Sequence, residues 1–288
     1  MQKLIGGLIV LLCVFGGYMS AGGEIIAIWQ PAEIVIILGA GLGAMVIANP
    51  VHVLKDIWHQ LKAVFGKRDT GEEFQRQLLI TLYELLEMVQ NGGLRVLDQH
   101  IENPAESELF LKYPMILKQS RLVGFISDNF RLMAMGKINE HELEGILEQE
   151  LAAIEEEMLA PSKALQRIGE AMPGFGICAA VLGIIITMSS IDGSIAMIGL
   201  HVAAALVGTF LGVFFSYCFM DPLASAMDSQ AKSELSMLEC VRTVLVAHAA
   251  GKPTLLAVDA GRKLLHLASK PTFANLDAWV NAMVEQEE

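Results

Sequence analysis

The chain has 288 residues, of which 53% are hydrophobic and 18% charged, with a formal net charge of -12. That balance is too apolar for an ordinary soluble protein, while the length leaves room for two domains. The acidic excess, with no concentrated basic face, argues against nucleic acid as a partner, because neutralising phosphates requires such a face.

Apolar residues concentrate in four runs free of Asp, Glu, Lys and Arg, at 4–23, 34–53, 171–191 and 193–220. Each is about the length that carries a helix across ~30 Å of hydrocarbon, roughly 20 residues. Lys3 and the run behind it resemble a secretory signal. No clean small-x-small site follows at Met19-Ser20-Ala21-Gly22, so the run is read as a retained first span. The connections 24–33 and Asp192 contain no Lys or Arg, whereas Lys55, Lys62, Lys67 and Arg68 follow the second run. Basic flanks stay in the cytoplasm, which puts both termini and both polar segments on that side of the membrane. The expected organisation is therefore spans one and two in 1–52, a cytoplasmic helical domain in 53–170, spans three and four in 171–221, and cytoplasmic helices in 222–288.

The polar segments read as helical. Phe74, Leu78, Leu82, Leu85 and Val89 recur at steps of three and four, which aligns them on one helix face until Asn91-Gly92-Gly93 interrupts. Asn139 with Glu142 three residues on forms a capping-box start before Leu143, Ile146, Leu147 and Leu151. The acidic cluster Glu148, Glu150, Glu155, Glu156 and Glu157 reads as a solvated face. Pro161 and Pro173 are expected to break or kink the path into the third span. Gly251-Lys252-Pro253 and Lys270-Pro271 divide the tail into three helical pieces. No alternating strand pattern is present, so the fold class is all-α: a polytopic membrane protein with four transmembrane helices and a cytoplasmic helical part.

Chemistry is sparse. Cys13, Cys178 and Cys218 lie inside apolar runs and Cys240 stands alone, so all read as small buried hydrophobes and not as metal ligands. His52, His59, His100, His141, His201, His248 and His266 show no pairing with a carboxylate base, and no serine or cysteine has a triad context. Neither enzymatic catalysis nor a bound cofactor is expected. His201, near the outer end of the fourth span, reads as a packing or interfacial residue before it reads as a proton relay. Gly39, Gly41 and Gly43 lack the strand and acidic residue of a dinucleotide loop. Gly39 with Gly43, and Gly208 with Gly212, are instead four apart, the spacing that lets helix backbones approach.

Ion-driven membrane machines place an ionisable group at mid-membrane, where it is costly and kept for function. Here Glu33, Asp192 and Asp221 all fall at span ends. If the protein moves protons, the titrating carboxylate is expected from a partner helix. Thr187, Ser189, Ser190, Thr209 and Ser216 could line a polar path, or each could bond to its own helix. Pro173 opens the third span and Pro222 closes the fourth, either as simple bends or as a hinge pair with two arrangements of similar energy.

Specific strings run in order along nearly the whole chain: Val14-Phe15-Gly16-Gly17-Tyr18, Gln30-Pro31-Ala32-Glu33, Ile101-Glu102-Asn103-Pro104 and Glu106-Ser107-Glu108. They continue with Pro173-Gly174-Phe175-Gly176-Ile177, Val207-Gly208-Thr209-Phe210-Leu211-Gly212, Pro222-Leu223-Ala224 and Gly261-Arg262-Lys263. In these strings the chain resembles the MotA family, the A-subunits of flagellar motor stators. The resemblance implies a ring of five A-subunits around a dimer of MotB-like B-subunits, whose transmembrane aspartate carries the ion. It further implies that Pro173 and Pro222 couple ion passage to movement and that Thr209 lines the ion path. Sodium-driven members carry a second threonine where this chain has Ala180, and an alanine offers no oxygen to a hard cation, so protons are the expected ion. Charges facing a FliG-like rotor protein fall in 90–108. Asp98 matches the family's acidic position, Gln90 stands at its basic one with Arg95 nearby, and Glu106 and Glu108 follow. The alternatives are a proton-driven energiser of the ExbB and TolQ kind, which has three spans with the cytoplasmic segment after the first, and a static scaffold.

Overall fold

A computed structural model describes residues 2–66, 71–136, 138–189, 195–266 and 270–287. Lys67, Arg68, Ser190 and Asp192 from the reading above lie outside the described residues, as does the side chain of Ser189. In chain order the helices are α1 Gln2–Ser20, α2 Ile25–Ile28, α3 Pro31–Ala48, α4 Val51–Phe65, α5 Glu72–Gly92, α6 Asp98–Ile101, α7 Glu108–Lys112, α8 Pro114–Leu117 and α9 Ser120–Ala134. They continue as α10 Glu140–Ser189, α11 Ile195–Phe215, α12 Asp221–Ala249, α13 Thr254–Arg262 and α14 Phe273–Glu287. A 3-10 turn, Leu94–Leu97, precedes α6, and a π turn, Ser216–Met220, joins α11 to α12. Among the described residues every regular element is helical.

Four helices are long and apolar enough to cross a membrane by length and composition: Gln2–Ser20, Pro31–Ala48, Glu140–Met188 and Met197–Ala249. Their outer faces are what water would penalise. Leu4, Leu8 and Leu12 on α1, Leu42 and Ile47 on α3, Ile185 on α10 and Leu206 on α11 are all exposed. Such a continuous apolar surface suits lipid or neighbouring helices.

The chain divides into two compact units, residues 1–67 with 157–230, and 68–156 with 231–288. The first holds the apolar helices. Its core is Ile37 of α3, Met172 and Ala179 of α10, and Leu211 of α11. Phe15 of α1 meets Phe214 edge-on, with centroids 5.5 Å apart. The second apolar run does not extend α3 to Val53 as its composition suggested. Pro50 pushes Asn49 out of the helical region, to φ -129° and ψ 142°, and the Asn49 side chain donates to the Met45 carbonyl at 2.9 Å. α4 then starts afresh as an amphipathic helix, burying Val53, Ile57 and Val64 while Trp58 and Phe65 stay exposed. Lys3 of α1 donates to the carbonyl of Val64 in the last turn of α4, at 3.1 Å, a favourable place for a cation.

The second unit has a water-soluble kind of core, built on Phe74, Leu78, Leu82 and Leu85 of α5 with Phe110, Ile126, Phe130 and the α12–α14 residues Leu238, Val241, Val258 and Leu276. α5 ends where the glycines were expected to end it, at Gly93 with φ +75°. The capping box closes as read: Glu142 N–H donates to Asn139 Oδ1 at 3.0 Å and Asn139 N–H to Glu142 Oε2 at 3.2 Å. Leu143, Leu147 and Leu151 are buried, but Ile146 is 43% exposed, on the edge of that face.

α13 seats against α12 because Gly261 has no side chain; a Cβ there would stand 2.6 Å from the Cys240 carbonyl oxygen. Beside it, Arg262 donates to Asp259 Oδ1 from Nε at 2.7 Å and to the Pro271 carbonyl at 2.7 Å, and Lys263 reaches Asp259 Oδ2 at 3.1 Å. Burial pushes the Asp259 carboxyl up, and the hydrogen bonds and charges of Arg262 and Lys263 outweigh it, leaving the group below its ordinary value. A carboxylate so depressed stabilises the fold above its unfolded pKa of about 3.9, and that contribution fades as the pH falls through the folded value. Asp259→Asn leaves the buried guanidinium without its counter-charge and is expected to cost roughly 2–4 kcal/mol near pH 7. Unfolding curves of the detergent-solubilised protein should show the gap between variant and native chain narrowing below pH ~3.9.

Candidate functional site

The site is the antiparallel crossing of α10 and α11, with α3 laid against it. Position by position, the contacts step in opposite directions along the two helices. A Cβ placed on Gly212 would meet the Met172 carbonyl oxygen at 2.7 Å and Gly176 Cα at 2.9 Å; one on Gly176 would meet the Gly208 carbonyl oxygen at 2.8 Å. Higher up, Gly208 lies against Ala179 at 3.4 Å, and Gly183 against Ala205 at 3.3 Å. The two backbones are thus in direct contact, which only glycine permits.

This ladder brings several of the singled-out residues together. Ala179 abuts Gly208, so Ala180 and Thr209, the next residue on each helix, lie on opposite sides of that contact. Ala180 is buried and Thr209 half-buried. Thr187 donates to the carbonyl of Gly183 in its own helix at 2.8 Å, the local reading of that hydroxyl, whereas Ser216 Oγ is buried without a partner. Of the paired glycines, Gly208 and Gly212 make the contact expected of them. Gly39 and Gly43 do not within this chain: nothing lies within 4 Å of where their Cβ atoms would stand, and both are exposed. Gly41 packs instead, against Met172 and Ile168. Two residues of helix turn the backbone about 200°, so the face that meets α10 is the one Gly39 and Gly43 leave behind.

Of the break or kink expected at the prolines, the break does not occur. Neither Pro161 nor Pro173 breaks α10, which is continuous from Glu140 to Ser189, and the chain stays helical through Pro222. Each proline removes the bond to a carbonyl four residues back, and the surroundings absorb the loss. For Pro173 that carbonyl belongs to Gly169, whose lack of a side chain lets Asp221 Oδ1 and Met220 approach; a Cβ on Gly169 would lie 2.7 Å and 3.0 Å from them. Before Pro222 the helix widens into the π turn, in which Asp221 N–H donates to Ser216 O, one residue further back than in an α-helix. The two prolines are therefore on neighbouring helices, linked through Gly169 and Asp221.

Glu33 stands at the span end where its position in the sequence puts it, but where its side chain goes was not legible there. By position it does open α3, but its side chain is only 6% exposed and runs between the other two helices. A Cβ on Gly208 would lie 2.7 Å from Oε2, and one on Gly183 3.6 Å from Oε1; Oε2 is buried without a hydrogen-bond partner. The signal available in the sequence was the small-residue set Ala179, Gly183, Ala205 and Gly208, which leaves a space that something must fill.

In the second unit, Gln90, Arg95, Asp98, Glu106 and Glu108 are all exposed. Gln90 Oε1 accepts from Thr254 Oγ1 at 2.9 Å, and Glu106 Oε2 accepts from Asn103 at 2.9 Å. Among the described residues Arg95 and Asp98 form no ion pair, so their charges are presented to the outside. The loop between α6 and α7 is braced from beneath by buried His100, whose Nδ1 lies 2.8 Å from Ser107 Oγ. Among the described residues no group of His, Cys, Asp and Glu is placed to hold a metal ion.

Comparison with known proteins matches residues 4–93 to the family described as Motility protein A N-terminal, and residues 119–240 to the MotA/TolQ/ExbB proton channel family. The chain is 55% identical to the chemotaxis protein LafT of Vibrio parahaemolyticus over all of both chains. It is 37% identical to Motility protein A of Escherichia coli over 98% of this chain and 96% of that one. Among solved structures its fold resembles the MotAB of C. jejuni, with TM-score 0.74 and 16% identity over 92% of this chain and 96% of that one. It also resembles the MotAB stator complex of Bacillus subtilis, with TM-score 0.68 and 23% identity over 92% and 94%.

Gly212→Ala is expected to force α10 and α11 apart, costing about 1–3 kcal/mol as an overpacked contact. Gly43→Ala meets open space and should leave the stability of the isolated subunit within about 0.5 kcal/mol. Thermal unfolding of the two variants in detergent checks the difference.

Proposed function

The chain belongs to the MotA family of motility proteins, and from that membership we propose that it is the stator A-subunit of a flagellar motor, forming with a MotB-like B-subunit a proton-conducting complex that generates torque. What carries this reading is the end-to-end match at 55% identity. The family model over 119–240 is shared with TolQ and ExbB. The motility-specific match over 4–93 and the presence of two candidate spans, α1 and α3, ahead of the soluble-type core favour the stator over that alternative.

The subunit sits in the bacterial inner membrane with both termini cytoplasmic. Lys55 and Lys62 on α4, after the second span, support that orientation, and the bond from Lys3 to the end of α4 supports the same side for the start of α1. Five copies ring a B-subunit dimer. The exposed apolar faces of α1 and α3, with Gly39 and Gly43 free for a neighbour, support an assembly of this kind.

Protons are the transported species. Ala180, buried on α10, offers no oxygen for a sodium ion, and Thr209 is the half-buried hydroxyl at the crossing. The B-subunit aspartate is neutral when protonated and charged when not, so its preference among the A-subunits differs between the two states. That difference in interaction energy is what can turn the ring. The contact between Gly169 and Asp221 joins the two proline turns, so a shift at Pro173 is felt at Pro222. Torque passes to a FliG-like rotor protein through 90–108. There the exposed Arg95, Asp98, Glu106 and Glu108 give register and steering more than affinity, since exposed pairs contribute only about 0–1 kcal/mol each.

Cells carrying this chain and its B-subunit as their stator should swim or swarm in sodium-free medium and stop when a proton uncoupler is added. Motility that requires sodium would sink the proton assignment. In vesicles holding both subunits, Pro173→Ala is expected to alter proton uptake; unchanged uptake would reduce Pro173 to a tolerated bend.

A further inference from the structure

We infer that Glu33 is a proton way station belonging to the A-subunit itself, standing in the membrane against Gly183 and Gly208 and handing protons to the carboxylate that the B-subunit supplies. The inference rests on the stator reading and adds to it an acid that the subunit does not have to borrow. It begins from an exposed fact of the fold: a carboxylate 94% buried inside a helix bundle whose outer surface is apolar, with Oε2 unpartnered.

The surroundings are shaped for this group. Gly183 and Gly208 lack side chains where the carboxyl lies, and a methyl at Gly208 would collide with it. Ala179 and Ala205 complete the wall and offer no hydrogen bond. A group held only for packing would do as well as a leucine or glutamine here, and would not need an ionisable head in a place where charge is expensive. A carboxyl in such a place can pass one proton on and take up another, which is the behaviour a relay needs.

Other ionisable groups do not blur the assignment. From Ala171 to Ser189 α10 has no acidic or basic residue, and Glu33 is the single one in α3. On α11 the single one is His201, which lies on the side that carries Ala205 and Gly208 by its spacing of four and seven residues; its Nδ1 is also buried without a partner. Among the described residues of α3 and α11, His201 is thus the titratable group on the same side of α11 as the Glu33 contact at Gly208. Towards the crossing it is followed by Gly208 and then Thr209. In the transfer, the O–H bond of the Glu33 carboxylic acid breaks and an O–H bond forms on the B-subunit carboxylate. The electron pair stays on Glu33, which is left as a carboxylate and takes its next proton from water at the outer face.

The test uses the complete complex of A- and B-subunits in lipid vesicles, with proton uptake driven by an imposed potential. Glu33→Gln keeps the shape and hydrogen-bonding capacity but cannot carry a proton, and is expected to lower uptake at least about tenfold with the complex recovered at the usual yield, while Glu33→Asp retains more uptake than Glu33→Gln. Uptake by Glu33→Gln within about twofold of the unsubstituted complex would overturn the inference alone, whereas no uptake by the unsubstituted complex would overturn the stator reading with it. A second measurement does not depend on any variant folding. A hydrophobic carbodiimide adds to protonated carboxyls in apolar surroundings, so the unsubstituted complex should carry the adduct at Glu33 by mass spectrometry, more of it at low pH, and an unmodified Glu33 would overturn the inference.

Discussion

The contact on which the membrane part of this protein depends is backbone against backbone, at Gly176, Gly208 and Gly212. In lipid the hydrophobic effect does not drive helices together, because the surrounding chains are as apolar as the helices; close van der Waals packing has to do it. Glycine at these places brings α10 and α11 close enough for a carbonyl oxygen to stand 2.8 Å from where a side chain would begin. Once that crossing is set, the level of every other residue follows. Ala179 must stand beside Gly208, Gly183 beside Ala205, and Gly169 beside Asp221, and α3 can lie across the pair only by sending Glu33 into the space the small residues leave.

The prolines act within that frame. A proline inside a helix frees a carbonyl and crowds it, and a helix in lipid cannot leave the result unanswered. Here α10 continues through Pro173 with Gly169 at the crowded position, and the chain before Pro222 takes up one extra residue in a π turn. Both solutions keep the helix whole while loosening its hydrogen-bond ladder locally, and they meet at one contact, Gly169 with Asp221. A loosened ladder at two touching places is a physical basis for two arrangements of similar energy, which a broken helix would not provide.

The second unit answers different demands. It is organised around a water-type core with Phe74, Phe110 and Phe130 fully buried, and its surface loop between α6 and α7 is held from inside by the pair His100 and Ser107. The consequence is that Arg95, Asp98, Glu106 and Glu108 are carried on firmly packed elements, so that charge pattern and not loop motion is what a partner would read.

Much of this was legible in the residues alone. Four apolar stretches of spanning length, the heptad-like face of α5, the reciprocal cap at Asn139 and Glu142, and the family strings all follow from local rules, because hydropathy, helical period and capping act over a few residues. What only the tertiary structure decided is where side chains point once helices cross. The same spacing of four placed Gly208 and Gly212 in a tight contact and left Gly39 and Gly43 facing outward, since spacing fixes a face and not its orientation. Proline chemistry suggested a break or a kink, and the break did not follow where a neighbouring glycine and a π turn made it unnecessary. Glu33 stood at a span end by position, yet its side chain was drawn into the bundle by a gap left by residues far along the chain, Gly183 and Gly208 among them, a fact that distance along the chain conceals.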